Sequence, residues 1–156
     1  MLKRLRNSNG SSILEAAIVT PLLLLLTFAI VDFGAMFYVY LAIENGVSQA
    51  TRYGVTNALM DDPTHPGSKL SRVESIKLAM RQATPTLTID DADFTFASRP
   101  VSGGWWTNGP AGPNEIQKVT VAHTWSFITP LMWPFFTNGE IRLSVDSVMK
   151  NEALVQ

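Results

Sequence analysis

The 156-residue chain has no cysteine. This excludes a disulfide framework, thiolate metal sites and a cysteine nucleophile. Charge is scarce: 16% of residues are Asp, Glu, Lys or Arg, against about 25% in typical domains. With 12 basic and 13 acidic residues the formal net charge is −1, so the cationic face that nucleic-acid binding needs is missing. Histidine is limited to His65 and His123, and neither a glycine-rich phosphate loop nor an HExxH pair occurs. His65 stands among Asp61, Asp62 and prolines, where a solvated turn is expected. His123 shares the apolar parity of its segment, so a hydrogen-bonded core histidine is expected there. No acid, base and nucleophile converge. The chain is expected to be no enzyme, with no catalytic residues, no metal and no cofactor.

The shortage of charge is local. No charged residue lies between Ala16 and Val31, and residues 13–31 hold 15 apolar side chains out of 19. A bilayer core of about 30 Å takes about 20 apolar helical residues, so a transmembrane segment is expected over about 13–33. Lys3, Arg4 and Arg6 precede it without an acidic residue before Glu15. The positive-inside rule then keeps the N-terminus cytoplasmic and sends the rest outward. A removable signal peptide would have a shorter apolar core and an Ala-x-Ala site, which this stretch lacks. Glu15 is a lone carboxylate just inside the run. It reads either as an interfacial charge favoured by the helix N-terminus or as the mark of a partner.

Spacing separates those two readings. Gly10 followed by Glu15 is a small residue, a cut, and a carboxylate at the fifth mature position ahead of an apolar helix. The string Gly10-Ser-Ser-Ile-Leu-Glu15-Ala-Ala-Ile-Val-Thr-Pro21-Leu-Leu-Leu resembles the amino terminus of TadE-like proteins, pseudopilins of tight-adherence (Flp-type) pilus systems. One departure is visible: the first mature residue would be Ser11, where many type IV pilins begin with Phe.

The resemblance implies a pilin-like α+β fold with a long N-terminal transmembrane helix, one short helix and a small antiparallel sheet. It also implies a minor subunit for pilus assembly, cut between Gly10 and Ser11, with Glu15 setting registration between subunits. Implied partners are a prepilin peptidase, other minor pseudopilins, a major Flp-type pilin, an inner-membrane platform with its ATPase, and membrane lipid. The implied location is a bacterial inner membrane, single-pass, with the C-terminal domain extracytoplasmic. Two other readings stand beside this one. The chain would be an uncleaved membrane scaffold, or an extracytoplasmic ligand-binding module using Trp105, Trp106, Trp125 and Trp133.

The expected organisation is a basic leader (1–10), a long helix (11–60) and an outward domain (61–156). Pro21 is the one interior breaker and predicts a local kink. Ala42, Gly46, Ala50, Gly54 and Ala58 recur every four residues, a ridge that lets another backbone approach, either the protein's own sheet or a neighbouring subunit. Asp32 lies 21 residues beyond Ser11, about 30 Å along a helix. It is expected at the outer membrane surface, where a boundary charge needs no mechanism, with Phe37, Tyr38 and Tyr40 as an aromatic belt.

Further on, two prolines and a glycine in 61–67 predict a surface loop. Ser71-Arg-Val-Glu74 is a capping-box signature, with Val73, Ile76, Met80 and Ala83 at helical spacing before Pro85. Phe94-Thr-Phe96, Val119 to Phe127 and Ile141 to Val148 alternate as strands, the last two an antiparallel pair. Residues 100–113 hold four glycines and three prolines and predict a long irregular loop. An alternating strand, the turn Thr129-Pro-Leu-Met-Trp-Pro-Phe-Phe136, a second strand and Lys150-Asn-Glu152 also resemble the TadE-like carboxyl end.

Overall fold

A computed structural model describes residues 8–56 and 58–152. Lys3, Arg4 and Arg6 lie outside the described residues. The first helix, α1, runs Ser8–Val55 and continues through Pro21. Proline removes one amide donor, and an otherwise unbroken run of helix-compatible apolar residues carries the segment past it.

The helix was expected to reach Met60 and stops at Val55. Its last carbonyls are taken by groups outside the helix ladder. Thr56 donates from both its amide and its hydroxyl to Tyr53 O (3.2 and 2.8 Å). Arg72 Nη2 donates to Gly54 O (2.7 Å), and the Glu152 amide to Val55 O (3.3 Å). Orphan carbonyls at a helix end need partners, and these stop the ladder.

The short helix α2 is Arg72–Ala83. Ser71 Oγ accepts from the Glu74 amide (3.2 Å), so half of the expected capping box forms. The other half does not, because the Glu74 carboxylate pairs with Lys77 Nζ at 2.9 Å. Beyond α2 a single 3₁₀ turn (Asp91–Asp93) leads into β1, Phe94–Pro100. The other strands are β2, Thr107–Asn108; β3, Glu115–Ser126; and β4, Glu140–Lys150. The sheet order is β2-β1-β3-β4. β1 and β3 are antiparallel, with Phe94 opposite Val121, Phe96 opposite Val119 and Ser98 opposite Gln117. β2 interrupts the long 100–113 loop by pairing Asn108 with Ala97. The fold is the expected α+β class: a long apolar helix, a short helix and a small antiparallel sheet.

Two compact units share the chain. Among the described residues one unit holds 8–36 with Ser126–Ile141, and the other 37–56, 58–125 and 142–152. In the larger unit Val39, Ile43, Val47 and Ala50 of α1 are buried, as are Ile76 and Met80 of α2 and Val119 and Val121 of β3. Each of these side chains other than Ala50 contributes about 1.5–3 kcal/mol on full burial. At the surface of this unit Asp146 holds Lys118 Nζ (2.6 Å) and the Thr120 hydroxyl (2.7 Å) across β4 and β3. The lysine, then the threonine, keep its carboxyl below the ordinary range.

Candidate functional site

Gly10, Ser11 and Glu15 all lie on α1 and are exposed. A Cβ at Gly10 would meet no described atom within 4 Å outside its own stretch of helix backbone, so packing against the described residues does not require glycine at this position. The Glu15 carboxylate makes no ion pair or hydrogen bond with the described residues. Ser11 and Glu15 are four residues apart, one above the other on a single face and about 6 Å apart along the axis. An α-amine at Ser11 would therefore lie within reach of this carboxylate on the same helix.

Asp32 departs from expectation. Instead of standing at the surface as a boundary charge, it is completely buried. Its Oδ1 accepts the Ile128 amide (2.9 Å), and Oδ2 accepts the Thr129 amide (3.2 Å) as well as the Thr129 hydroxyl. A buried carboxylate is tolerated where donors replace its water, and here three do. Around it Phe33 packs edge-on against Phe127 (5.7 Å) and Phe136 (6.3 Å), and these two stack at 4.1 Å. Trp133 Nε1 donates to Phe127 O (3.0 Å). Gly139, at φ 67°, lies where a Cβ would come within 2.6 Å of the Trp133 ring. No local pattern announces this junction, because its donors lie 96 and 97 residues from Asp32.

At its two glycines the ridge of small residues is covered by α2 and by Thr84 just beyond it. A Cβ on Gly46 would lie 2.6 Å from both Met80 Sδ and Thr84 Cγ2, and one on Gly54 would lie 2.8 Å from Ile76 Cδ1. Ala50 is buried, Ala42 half-buried, and Ala58 is exposed beyond the end of the helix. Three members of the ridge thus sit inside the unit.

A buried polar knot around Ala111 also escapes sequence reading. The Ala111 amide donates to Gln117 Oε1 (2.6 Å), and its carbonyl accepts from Asn151 Nδ2 (3.0 Å) and Arg72 Nη1. Asn151 Nδ2 also reaches Gly112 O (2.9 Å). The Lys150-Asn-Glu152 end thereby gains a structural role: it holds the 110–112 loop and closes α1. The one available hint was the continued alternation of β4, which places Asn151 on the inward parity of Leu143 and Val145.

The remaining candidates stay apart. His65 lies in an exposed turn with Nδ1 3.0 Å from Asp62 Oδ2, and Asp62 also accepts from the amide and hydroxyl of Thr64. Thr64 first, and then His65, keep the Asp62 carboxyl below its ordinary range. His123 is half-buried, and its ring makes no hydrogen bond to the described residues where one was expected; Gln117 is a buried, hydrogen-bonded polar side chain of that strand. Trp105 is 92% exposed, and Trp106 lies under the Arg99 guanidinium (4.9 Å). Trp125 is half-buried in the same unit, and Trp133 belongs to the other. Among the described residues no metal-ligating group of three or more side chains gathers, and no pocket opens.

Residues 10–52 match the family of TadE-like proteins. The match begins at Gly10 and covers most of α1, the segment whose ordered string resembles that family. No curated protein and no solved structure matches the chain. The matched helix is long and apolar enough to cross a membrane, and no residue of its most apolar stretch is buried within the protein.

Proposed function

We propose, taking the TadE-like match of residues 10–52 as premise, that the chain is a membrane-anchored, pilin-like subunit serving assembly of a tight-adherence pilus. The observation that carries this reading is the state of the matched segment. Gly10, Ser11 and Glu15 are exposed on one helix, and the apolar turns after them are exposed too. A helix of this character is stable only in lipid or against other helices.

The residues take distinct roles. Gly10 offers a prepilin peptidase a side-chain-free position before the bond to Ser11. Hydrolysis of that bond leaves the leader with a carboxylate at Gly10 and the mature chain with an ammonium at Ser11. Glu15 then provides the opposite charge, on the same helix or to a neighbour's amine. In a low-dielectric setting such a pair is strong, and either partner left alone is costly. Mispaired subunits are thereby disfavoured. The chain acts as substrate of the peptidase and as a structural subunit, without chemistry of its own.

The mass of the mature protein tests the reading. Wild type should begin at Ser11, and Gly10→Leu should retain the leader. Wild-type protein that keeps Met1 to Gly10 in piliated cells would overturn the cleavage.

A further inference from the structure

The turn between β3 and β4 is an unusual surface. From Val119 to Gly139 the chain carries no Lys, Arg, Asp or Glu. Ile128, Leu131, Trp133 and Phe135 are 60%, 40%, 51% and 65% exposed. A tight cluster of large exposed apolar side chains marks an interaction surface. The turn is held by Asp32 and by the Phe33, Phe127 and Phe136 rings of its own unit.

Most of its backbone amides are satisfied within the unit. Pro130 and Pro134 have no amide hydrogen. Of the other amides from Phe127 to Phe136, all but that of Leu131 donate within the unit. Ile128 and Thr129 donate to Asp32, and Phe127, Met132, Trp133, Phe135 and Phe136 to carbonyls of the turn and of Gly139. The indole N–H of Trp133 is bonded as well. Amides already bonded within the protein lose little when such a segment leaves bulk water for the membrane interface, whereas the hydrocarbon core would not admit an irregular loop.

Its position on the helix follows from burial. From Gly10 to Val31 every residue is exposed except Leu25 and Ala29, which are half-buried. Leu25, Ala29 and Asp32 are spaced by four and three residues and share one helix face. In this unit the described chain outside the helix is 126–141. Asp32, to which the turn is bonded, thus shares a face with the two half-buried residues, Leu25 lying about 10 Å further into the apolar run.

We propose that the charge-free turn Phe127–Phe136 is a membrane pad, seated in the outer headgroup layer of the bilayer beside its own spanning helix. This rests on the membrane-anchored reading of α1. The occupant is a phospholipid surface, because the turn is fastened to the last turns of the apolar helix and its exposed side chains carry no charge. Tryptophan and neighbouring apolar rings favour that layer. The pad would fix the depth of the helix and the tilt of the turn against the membrane.

The absence of native cysteine makes a single-cysteine spin label a clean probe. Full-length protein in phosphatidylcholine vesicles would carry the label at Phe135→Cys and, independently, at Leu131→Cys. Phe28→Cys reports the spanning helix and Trp105→Cys the aqueous surface. Collision with oxygen reports lipid, and collision with a water-soluble nickel chelate reports water. Labels at residues 135 and 131 should prefer oxygen over nickel by several-fold relative to the label at 105, at a depth of about 5–10 Å. If they prefer nickel as the label at 105 does, while the label at 28 prefers oxygen, the pad is wrong and the anchored reading stands. Exclusion of both quenchers would mean that protein covers the turn, which also overturns the pad. If the label at 28 itself prefers nickel, the anchored reading fails and the pad falls with it.

Discussion

Replacing Asp32 by alanine should release the β3–β4 turn without unfolding the rest of the protein. Three donors converge on this carboxylate: the Ile128 amide, the Thr129 amide and the Thr129 hydroxyl. Hydrogen bonds to a charged group contribute about 1.5–3 kcal/mol each, so the gross loss is about 4–9 kcal/mol. Against this, alanine also removes the several kcal/mol that burying the carboxylate costs. The net expectation is about 2–4 kcal/mol against the closed turn. At 1.4 kcal/mol per tenfold, amide exchange at Ile128 and Thr129 should accelerate by about 30- to 700-fold. Asp32→Asn keeps one acceptor oxygen but turns an amide toward the remaining donor, so an acceleration of about 5- to 30-fold is expected. Hydrogen–deuterium exchange of the full chain in lipid nanodiscs reads both amides, with Val119 and Val121 in β3 as internal controls. The reasoning is refuted if both variants exchange within about threefold of wild type at Ile128 and Thr129. It is refuted equally if Val119 and Val121 lose protection in parallel, because the junction would then be inseparable from the whole fold.

Glu15→Gln preserves size and removes charge, so membrane insertion should be unchanged while crosslinking to partner pilins and pilus output fall; wild-type pilus yield would leave Glu15 as an interfacial carboxylate only. Gly46→Ala should destabilise by about 1–3 kcal/mol in denaturant titration, because its methyl meets both Met80 and the constrained Thr84. Gly54→Ala meets the movable end of Ile76 and gains about 1 kcal/mol of helix propensity, so it should be nearly neutral, whereas Gly54→Leu should not be. Equal losses at Gly46→Ala and Gly54→Ala would contradict this packing. Asn151→Ala strands Gly112 O while Ala111 O keeps Arg72, and a loss of about 2–3 kcal/mol is expected in the same titration.

Local sequence determined what local physics can determine. The uninterrupted apolar run made α1, and alternation with period two placed β3 and β4. Ser71 marked the start of α2 because an N-cap needs only its own first turn. The string from Gly10 to Leu24 carried the family likeness because it lies within one helix. The tertiary structure decided what depends on distant partners. α1 ends at Val55 because Arg72 and Glu152 take its carbonyls, although 56–60 contains no proline or glycine. The glycines of the small ridge meet α2 and Thr84, because spacing specifies a face and not what covers it. Asp32 reads in sequence as a charge at a boundary, and the fold makes it the buried acceptor of donors 96 and 97 residues away. A carboxylate's environment is set by what the chain brings to it, and no periodicity along the helix encodes that.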